Sequence, residues 1–243
     1  MITSKSNDLI KQCLQIKQKK YSKELGLCLV ESLKLVRELN DKGLIETILV
    51  LESKLDSFKN SKTKIEVISD SIAKYLADTV TTDGVFGICK IMESSGNSFD
   101  RCLVLDRIQD PSNLGAIIRS ACAFGFKTIF SINSVYPYSY KVIRSSMGYV
   151  FDVNIIDVSY EELKNFKTQN NITLLSADMD GQDIAEVKLQ KSSNMAIIIG
   201  NEGSGVSDEV VALSDMVVSI PMSNNVESLN ASVSAGIMMY LLK

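Results

Sequence analysis

The sequence predicts an α/β fold in two parts, a smaller α/β domain over residues 1–95 and a parallel-sheet domain over residues 99–243. Short apolar runs alternate with helical patterns along the chain, which is typical of strands joined by helices. Small polar residues at 93–98 break this pattern and predict a linker. With 243 residues, the chain is long enough for each part to bury a core of its own.

The N-terminal part is predicted to begin with a helix over residues 5–20, because Leu9, Cys13 and Ile16 recur at helical spacing. The remaining elements follow in the order strand, helix, strand, strand, helix and strand, at residues 25–30, 32–40, 45–51, 65–68, from Ser69, and 85–91. Together they form a small mixed α/β unit.

The C-terminal part is predicted to hold eight elements in which short strands and helices alternate. They occupy residues 102–105, 114–124, 128–132, 160–166, 172–175, 196–199, 217–220 and 228–242. Ligands of such parallel sheets bind beyond the carboxyl ends of the strands. The loops that follow these strands are therefore the candidate binding segments.

The composition excludes several kinds of chemistry. The chain has no histidine, which rules out nucleophiles activated by histidine and zinc sites that contain it. Its five cysteines are scattered and form no Cys-x-x-Cys pair, so we expect reduced thiols in the core and no metal site. The apolar runs are too short for a membrane span and no leader precedes them, so we expect a cytoplasmic protein without membrane attachment.

Charge is distributed unevenly along the chain. Residues 1–95 carry 15 Lys and Arg against 13 Asp and Glu, whereas the remaining residues carry 11 against 16. Lys17, Lys19 and Lys20 belong to a lysine-rich stretch within the first 23 residues. Such a patch indicates either a site for a polyanion such as nucleic acid or a solvated helix face.

The loop after the strand at 102–105 is the first of three informative segments. Asp110-Pro111 predicts a turn, and Asn113 is suited to cap the helix that begins near it. Arg119 then lies about a turn and a half along that helix. A capped helix with a surface arginine explains this pair equally well.

The second segment follows the strand at 196–199 and contains Gly200, Gly203 and Gly205. Glycines allow backbone N–H and C=O groups to approach a ligand closely. Their spacing matches neither a Walker A loop nor the dinucleotide fingerprint, which argues against a nucleotide-binding oxidoreductase.

The third segment begins where Pro221 ends the strand at 217–220. A polar loop leads from there to a helix whose start is rich in Ser and Asn, which are good capping residues. Small residues at 231–236 allow very close packing, so a tight helix crossing is the alternative explanation.

In this order, the three segments resemble the signature motifs of the SpoU/TrmH branch of the SPOUT RNA methyltransferases, at residues 101–125, 196–209 and 218–240. Residues 141–148 are similar to a basic helix that the family often carries, and residues 1–95 look like its ribosomal-protein-like substrate-binding domain. The resemblance implies a deep trefoil knot in the C-terminal domain, a rare exception to unthreaded chains. It also implies S-adenosylmethionine-dependent methylation of a ribose 2′-hydroxyl, with 23S-type ribosomal RNA favoured over tRNA.

The resemblance further implies the residues of the site. The catalytic residues are Arg119, Asn113, Glu202, Ser228 and Asn230. S-adenosylmethionine is bound at Gly200, Asn201, Gly203, Ser219, Ile220, Met222 and Leu229. RNA is contacted by Lys17, Lys19, Lys20, Lys141 and Arg144. Because a neutral guanidine is costly, we expect Arg119 to clamp a phosphate and stabilise developing charge, not to accept a proton.

Members of this family are typically homodimers, so we expect a second copy as a partner. We expect the C-terminal helix to contribute to the dimer interface through Ile237, Met238, Tyr240 and Leu241. The alternative is that these four residues belong to the core of one chain. Three other functions stay open, namely tRNA 2′-O-methylation, base methylation, and RNA binding by an inactive knotted protein.

The chain departs from the family pattern in its N-terminal domain. The family usually has a glycine after Val-Glu, where this chain has Ser32, and a Thr-Pro-Gln-Gly turn, where it has Thr-Thr-Asp-Gly at 81–84. Both changes lie in the domain expected to read RNA, so they bear on the choice of substrate and not on the catalytic loops.

Overall fold

The structure, a computed structural model, describes residues 1–92, 99–188, 194–223 and 226–243. The linker predicted at 93–98 lies outside the described residues. Contacts divide the chain into two compact units, one of Met1–Glu93 with Tyr138–Ile143 and the other of Ser94–Pro137 with Arg144–Lys243. Among the described residues, every helix is too short or too polar to cross a membrane.

The first unit is built on a four-stranded sheet. Its strands are β1 (Leu27–Glu31), β2 (Ile45–Leu51), β3 (Lys64–Ile68) and β4 (Val85–Lys90), and its helices are α1 (Asp8–Gln15), α2 (Lys19–Leu25), α3 (Leu33–Asp41) and α4 (Asp70–Leu76). The strand order is β1-β4-β2-β3, with β4 antiparallel to both of its neighbours and β2 parallel to β3. Ile10, Ile72 and Phe86 are fully buried in a core between this sheet and its helices.

The single helix predicted at 5–20 is two helices in the structure. Ile16 caps the end of α1, and the extended residue Gln18 precedes α2. No apolar stripe continues past Ile16 into the lysine-rich stretch, so nothing holds one long helix against the core. Gly26 adopts a left-handed conformation with φ 63° at the end of α2, which delays β1 to Leu27. A 3₁₀ segment at Glu52–Phe58 was not predicted.

The second unit contains a six-stranded sheet in which every described pairing is parallel. Its strands are β5 (Arg101–Asp106), β6 (Thr128–Ile132), β7 (Asn154–Asp157), β8 (Thr173–Asp183), β9 (Met195–Ile199) and β10 (Met216–Ser219). Its helices are α5 (Pro111–Phe124), α7 (Tyr160–Asn170), α8 (Asp208–Val211) and α9 (Ala231–Leu241), and α6 (Tyr140–Ser145) begins within the segment grouped with the first unit. The predicted α/β class with a parallel sheet is confirmed.

Several boundaries in the second unit differ from the prediction. β7 and α8 were not predicted, and β8 runs to Asp183 instead of ending at Leu175. Helix α5 begins at Pro111 because the Asp110 carboxylate, and not Asn113, accepts the capping N–H of Ser112 at 2.6 Å. Helix α9 begins at 231 and not at 228.

Candidate active site

Two loops meet at the middle of the second sheet because β5 and β9 are parallel neighbours there. On their other sides, β5 pairs with β6 and β9 pairs with β8. The strands β6 and β7 thus extend the sheet on one side of this point, and β8 and β10 extend it on the other. Such a switch in direction opens a crevice at the carboxyl ends of the strands. The loop at 107–110 and the loop at 200–207 therefore lie against each other.

The glycine loop, residues 200–205, is held in shape by the side chain of Asn201. The Oδ1 atom of Asn201 accepts the backbone N–H of Gly203 at 3.0 Å, and its Nδ2 donates to the carbonyl of Arg107 at 2.8 Å. A Cβ on Gly200 would collide with the backbone of Gly205. The loop therefore needs glycine at position 200 and binds the end of β5 through Asn201.

Three of the predicted catalytic residues form one hydrogen-bonded chain. The Nδ2 of Asn113 donates to the Glu202 carboxylate at 2.9 Å, and the Nδ2 of Asn230 donates to Oδ1 of Asn113 at 2.9 Å. Glu202 also accepts the backbone N–H groups of Gln109, at 3.3 Å, and Asp110, at 3.1 Å. Side-chain hydrogen bonds thus fasten together the first helical turn of α5, the glycine loop and the start of α9.

The ionisation of Glu202 follows from these contacts. Partial burial opposes the charged form, but the hydrogen bonds from Asn113 and from backbone N–H groups outweigh it, so the pKa of Glu202 lies below its ordinary value. The carboxylate is therefore anionic at neutral pH with its oxygens already engaged. It is suited to orient neighbouring groups and poorly suited to take up a proton.

A cavity of about 450 Å³ opens beside the glycine loop, a volume within the range of small-molecule sites. Most of the predicted cofactor residues line it, together with two predicted catalytic ones. These residues are Gly200, Asn201, Gly203, Ile220, Met222 and Leu229, with Glu202 and Ser228. In the described part of the chain, no group of three or more Cys, Asp or Glu side chains is arranged so that it could hold a metal ion.

Ser219 is a predicted cofactor residue that the structure does not bring to the cavity. Its hydroxyl donates to the carbonyl of Gly181 at 2.8 Å, and the residue is buried. A Cβ on Gly181 would lie 2.6 Å from the backbone of Val218. Ser219 therefore fastens β10 to β8 through its hydroxyl, and its expected role in cofactor binding stays a prediction.

Arg119 lies apart from the residues with which it was grouped. It is exposed on α5 and lines a second cavity of about 590 Å³ with Cys122, Phe124 and Tyr149. No hydrogen bond or ion pair of its guanidinium occurs within the described residues. The guanidinium is thus available to an incoming anion, but one chain does not place it at the wall of the first cavity.

The predicted RNA-binding residues differ in how exposed their side chains are. Lys17 is partly buried, and its ammonium contacts the carbonyl of Leu76 and pairs with Asp78 at 2.8 Å. The side chains of Lys19, Lys20, Lys141 and Arg144 are exposed on helices α2 and α6. The charge of Lys17 is thus engaged within the first unit, and its expected contact with RNA stays a prediction.

Two acidic residues that line the first cavity were missed. Asp178 reaches the cavity because β8 continues past Leu175, and Glu227 directly precedes Ser228 in the third segment. The polar sequence at 176–183 does not have the apolar pattern of a strand, so the position of Asp178 at the cavity could not be predicted from it. The adjacency of Glu227 to Ser228 was a usable signal.

A parallel sheet with a cavity beyond the carboxyl ends of strands β9 and β10 is typical of an α/β enzyme that binds a small organic ligand. Comparison with known proteins is more specific. The chain belongs to the SpoU rRNA Methylase family, whose sequence pattern matches residues 100–240. Residues 7–87 match the MRM3-like substrate binding domain.

Individual relatives match over almost the whole chain. The 23S rRNA (guanosine(2553)-2′-O)-methyltransferase RlmP of Bacillus subtilis is 28% identical over 249 residues, covering 100% of this chain and 98% of that protein. An uncharacterized tRNA/rRNA methyltransferase of Synechocystis is 32% identical over 253 residues, covering 98% and 92%. The rRNA methyltransferase structure from Sinorhizobium meliloti matches with a TM-score of 0.86 and 25% identity, over 99% of this chain and 95% of that one. An AdoMet-bound rRNA methyltransferase structure from the same organism has a TM-score of 0.87 at 24% identity, with the same coverage.

Proposed function

We propose that this protein transfers a methyl group from S-adenosylmethionine to a ribose 2′-hydroxyl of 23S-type ribosomal RNA. The observation that carries the proposal is the cavity beside the glycine loop, whose wall contains six of the seven expected cofactor residues together with Glu202 and Ser228. Residues 99–243 form the catalytic domain in this proposal, and residues 1–95 bind the RNA.

The cavity fits S-adenosylmethionine in size and in chemistry. Ile220, Met222 and Leu229 offer apolar surface to an adenine ring, and the glycine loop offers backbone groups to polar atoms. The charged side chains that line it are carboxylates, which suit a cationic ligand. When bound there, S-adenosylmethionine supplies an electrophilic methyl group.

The hydrogen-bonded chain positions the reacting groups. Glu202 holds Asn113, which holds Asn230, so the three loops keep one arrangement when RNA arrives. Ser228 lies at the cavity wall, where its hydroxyl can contact the ribose. Arg119 lines the second cavity, so in this proposal it reaches the reacting ribose from the other copy of the homodimer, clamps the adjacent phosphate and stabilises the negative charge that develops as the 2′-oxygen loses its proton.

We also propose a homodimer and a trefoil knot. Val233, Tyr240 and Leu241 are exposed on α9, and Tyr149 is exposed beside Arg119, which makes an apolar face suited to a second copy. Met238 is buried and belongs to the core, so it is removed from the expected interface. A mass in light scattering of twice that of one chain supports the dimer, and the mass of one chain at micromolar concentration refutes it.

The knot is supported by the tight backbone packing of the second unit. The backbone of β10 passes so close to Gly181 that no side chain fits between them, and the glycine loop folds equally closely on itself at Gly200.

A ribosomal RNA substrate also implies a cytoplasmic location. The match of residues 7–87 to a substrate-binding domain favours a structured ribosomal target over tRNA.

The test uses the wild type and Arg119→Ala with S-adenosylmethionine and separate pools of undermodified rRNA and tRNA. Mass spectrometry of the nucleosides should show a 2′-O-methyl product from rRNA that the variant does not make. A product from tRNA alone would refute rRNA as the substrate. A methylated base would refute ribose methylation as the reaction. Cofactor binding without product from either pool would favour the inactive RNA-binding protein.

A further inference from the structure

The wall of the first cavity is acidic. Asp178, Glu202 and Glu227 all line it, and no Lys or Arg lies among its described lining residues. Glu202 belongs to the hydrogen-bonded chain, but Asp178 and Glu227 have no part in the proposed catalysis. Their shared feature is a negative charge beside the proposed methyl donor.

Methyl transfer changes the charge of the cofactor. The methyl–sulfur bond breaks, the sulfur keeps the electron pair and becomes a neutral thioether, and the 2′-oxygen gains the methyl as it releases its proton. S-adenosylmethionine thus carries one positive charge more than its product S-adenosylhomocysteine, and the rest of the two molecules is identical. A negative wall therefore acts differently on the two.

The size of the cavity makes this difference measurable. A sphere of about 450 Å³ is roughly 10 Å across, so a ligand atom at its centre lies roughly 5 Å from the wall. At that distance, one unit charge changes a binding constant about fourfold even at the dielectric constant of water, and more where the protein displaces water. This separation is within the Debye length at physiological salt, so screening does not remove the effect.

We infer that Asp178, with Glu202 and Glu227, makes this cavity selective for the cationic methyl donor over the neutral thioether product. The inference rests on the proposed function. Asp178 is the residue to test because its carboxylate has one described contact, the backbone N–H of Asp180 at 3.1 Å. Asparagine at 178 keeps an oxygen for that N–H, so the substitution removes the charge and preserves the turn.

The experiment is calorimetric titration of the full chain with three ligands, S-adenosylmethionine, S-adenosylhomocysteine and sinefungin, in which an amine-bearing carbon replaces the sulfonium. Asp178→Asn should weaken binding of the two cationic ligands about three- to tenfold and change that of the thioether less than about twofold. The matched control is Asp180→Asn, an exposed neighbour outside the cavity wall, which should leave all three affinities unchanged. Raising the salt concentration should reduce the donor preference more in the wild type than in Asp178→Asn.

The outcomes separate this inference from the function on which it rests. Equal weakening of all three ligands, or weakening of none, in Asp178→Asn overturns the selectivity while leaving the methyltransferase intact. A wild type that binds no S-adenosylmethionine overturns the proposed function and the selectivity together. Equal effects of Asp178→Asn and Asp180→Asn would assign the effect to general surface charge and overturn the role of Asp178.

Discussion

Ser32 occupies a backbone conformation that few residues other than glycine adopt, and replacing it tests the first unit. Its φ of 116° and ψ of 141° lie near a region that is essentially restricted to glycine. The strain is held in place from both sides, since the N–H of Ser32 donates to Val85 and its hydroxyl accepts the N–H of Leu35 as the cap of α3.

The effect of Ser32→Gly can be worked out from three contributions. Relief of the strained backbone stabilises the fold by about 1–3 kcal/mol. Against this, glycine loses about 0.5–1 kcal/mol more conformational freedom on folding, and replacing a serine cap by glycine costs roughly a few tenths of a kcal/mol. We expect a net stabilisation of about 1 kcal/mol.

Ser69 provides the matched control. It also caps a helix of the first unit, with its hydroxyl accepting the N–H of Ile72 at 3.4 Å, but its φ of −79° is unstrained. Ser69→Gly has the same costs without the relief, so it should destabilise the unit by about 1 kcal/mol. The two substitutions have the same chemistry and are predicted to act with opposite signs.

Hydrogen exchange of the full chain, read by mass spectrometry on peptides that cover β2 and β4, measures both effects in the intact protein. Each 1 kcal/mol changes the exchange of globally protected amides about fivefold, so Ser32→Gly should slow it and Ser69→Gly should accelerate it. If Ser32→Gly accelerates exchange as much as Ser69→Gly does, the backbone at position 32 stores no strain and the reasoning fails.

Three further predictions concern the second unit and the thiols. Asn113→Ala should lower kcat about 10- to 100-fold and change the Kd for S-adenosylmethionine far less in calorimetry, because it removes a charge-assisted bond but no residue of the cavity wall. Because the folded-state pKa of Glu202 lies below its ordinary 4.5, its ionised form stabilises the fold above that value and the contribution is lost as pH falls through the lowered pKa. Melting curves from about pH 6 to about pH 3.5 should therefore show a smaller loss of stability for Glu202→Gln than for the wild type. Burial raises the pKa of Cys13 and Cys102 to about 12, so Ellman's reagent should label the partly exposed Cys122 in the native protein before any other thiol.

The elements that the sequence predicts well are those whose apolar pattern is continuous. Strands β5, β6 and β9 are buried except for Arg101 at the start of β5, and most of their residues are apolar, so their positions were correct within a residue or two. The C-terminal half of β8 is exposed and polar, and its strand conformation depends on pairing with β10, where Val218 lies opposite Gln182. The local sequence pattern of β8 does not reveal a pairing with a distant strand, which is why the end of this strand was missed.

The misassigned cap of α5 has a different cause. Asp110 and Asn113 are equally good capping residues by type, so residue preference does not choose between them. Pro111 does choose, because proline is favoured at the first helical position, which places the cap one residue earlier at Asp110. Asn113 is thereby released from capping, and its amide is free to join Glu202 to Asn230.

Because the Asn113 side chain does not cap α5, it can join three segments that are distant in the sequence into one site. Asn113 and Glu202 are 89 positions apart in sequence, and Asn113 and Asn230 are 117 apart, yet each pair is joined by one direct hydrogen bond. Their meeting depends on β9 inserting between β5 and β8, an order that the strands' own sequences do not encode. Because Asn230 also caps α9 through its Oδ1, a disturbance at Glu202 reaches the helix that carries Ser234 and Met238 to the cavity wall. Substitutions of residues in this hydrogen-bonded network of Asn113, Glu202 and Asn230 should therefore loosen the start of α9. Asp178 is not part of the network, so Asp178→Asn should leave that helix unchanged.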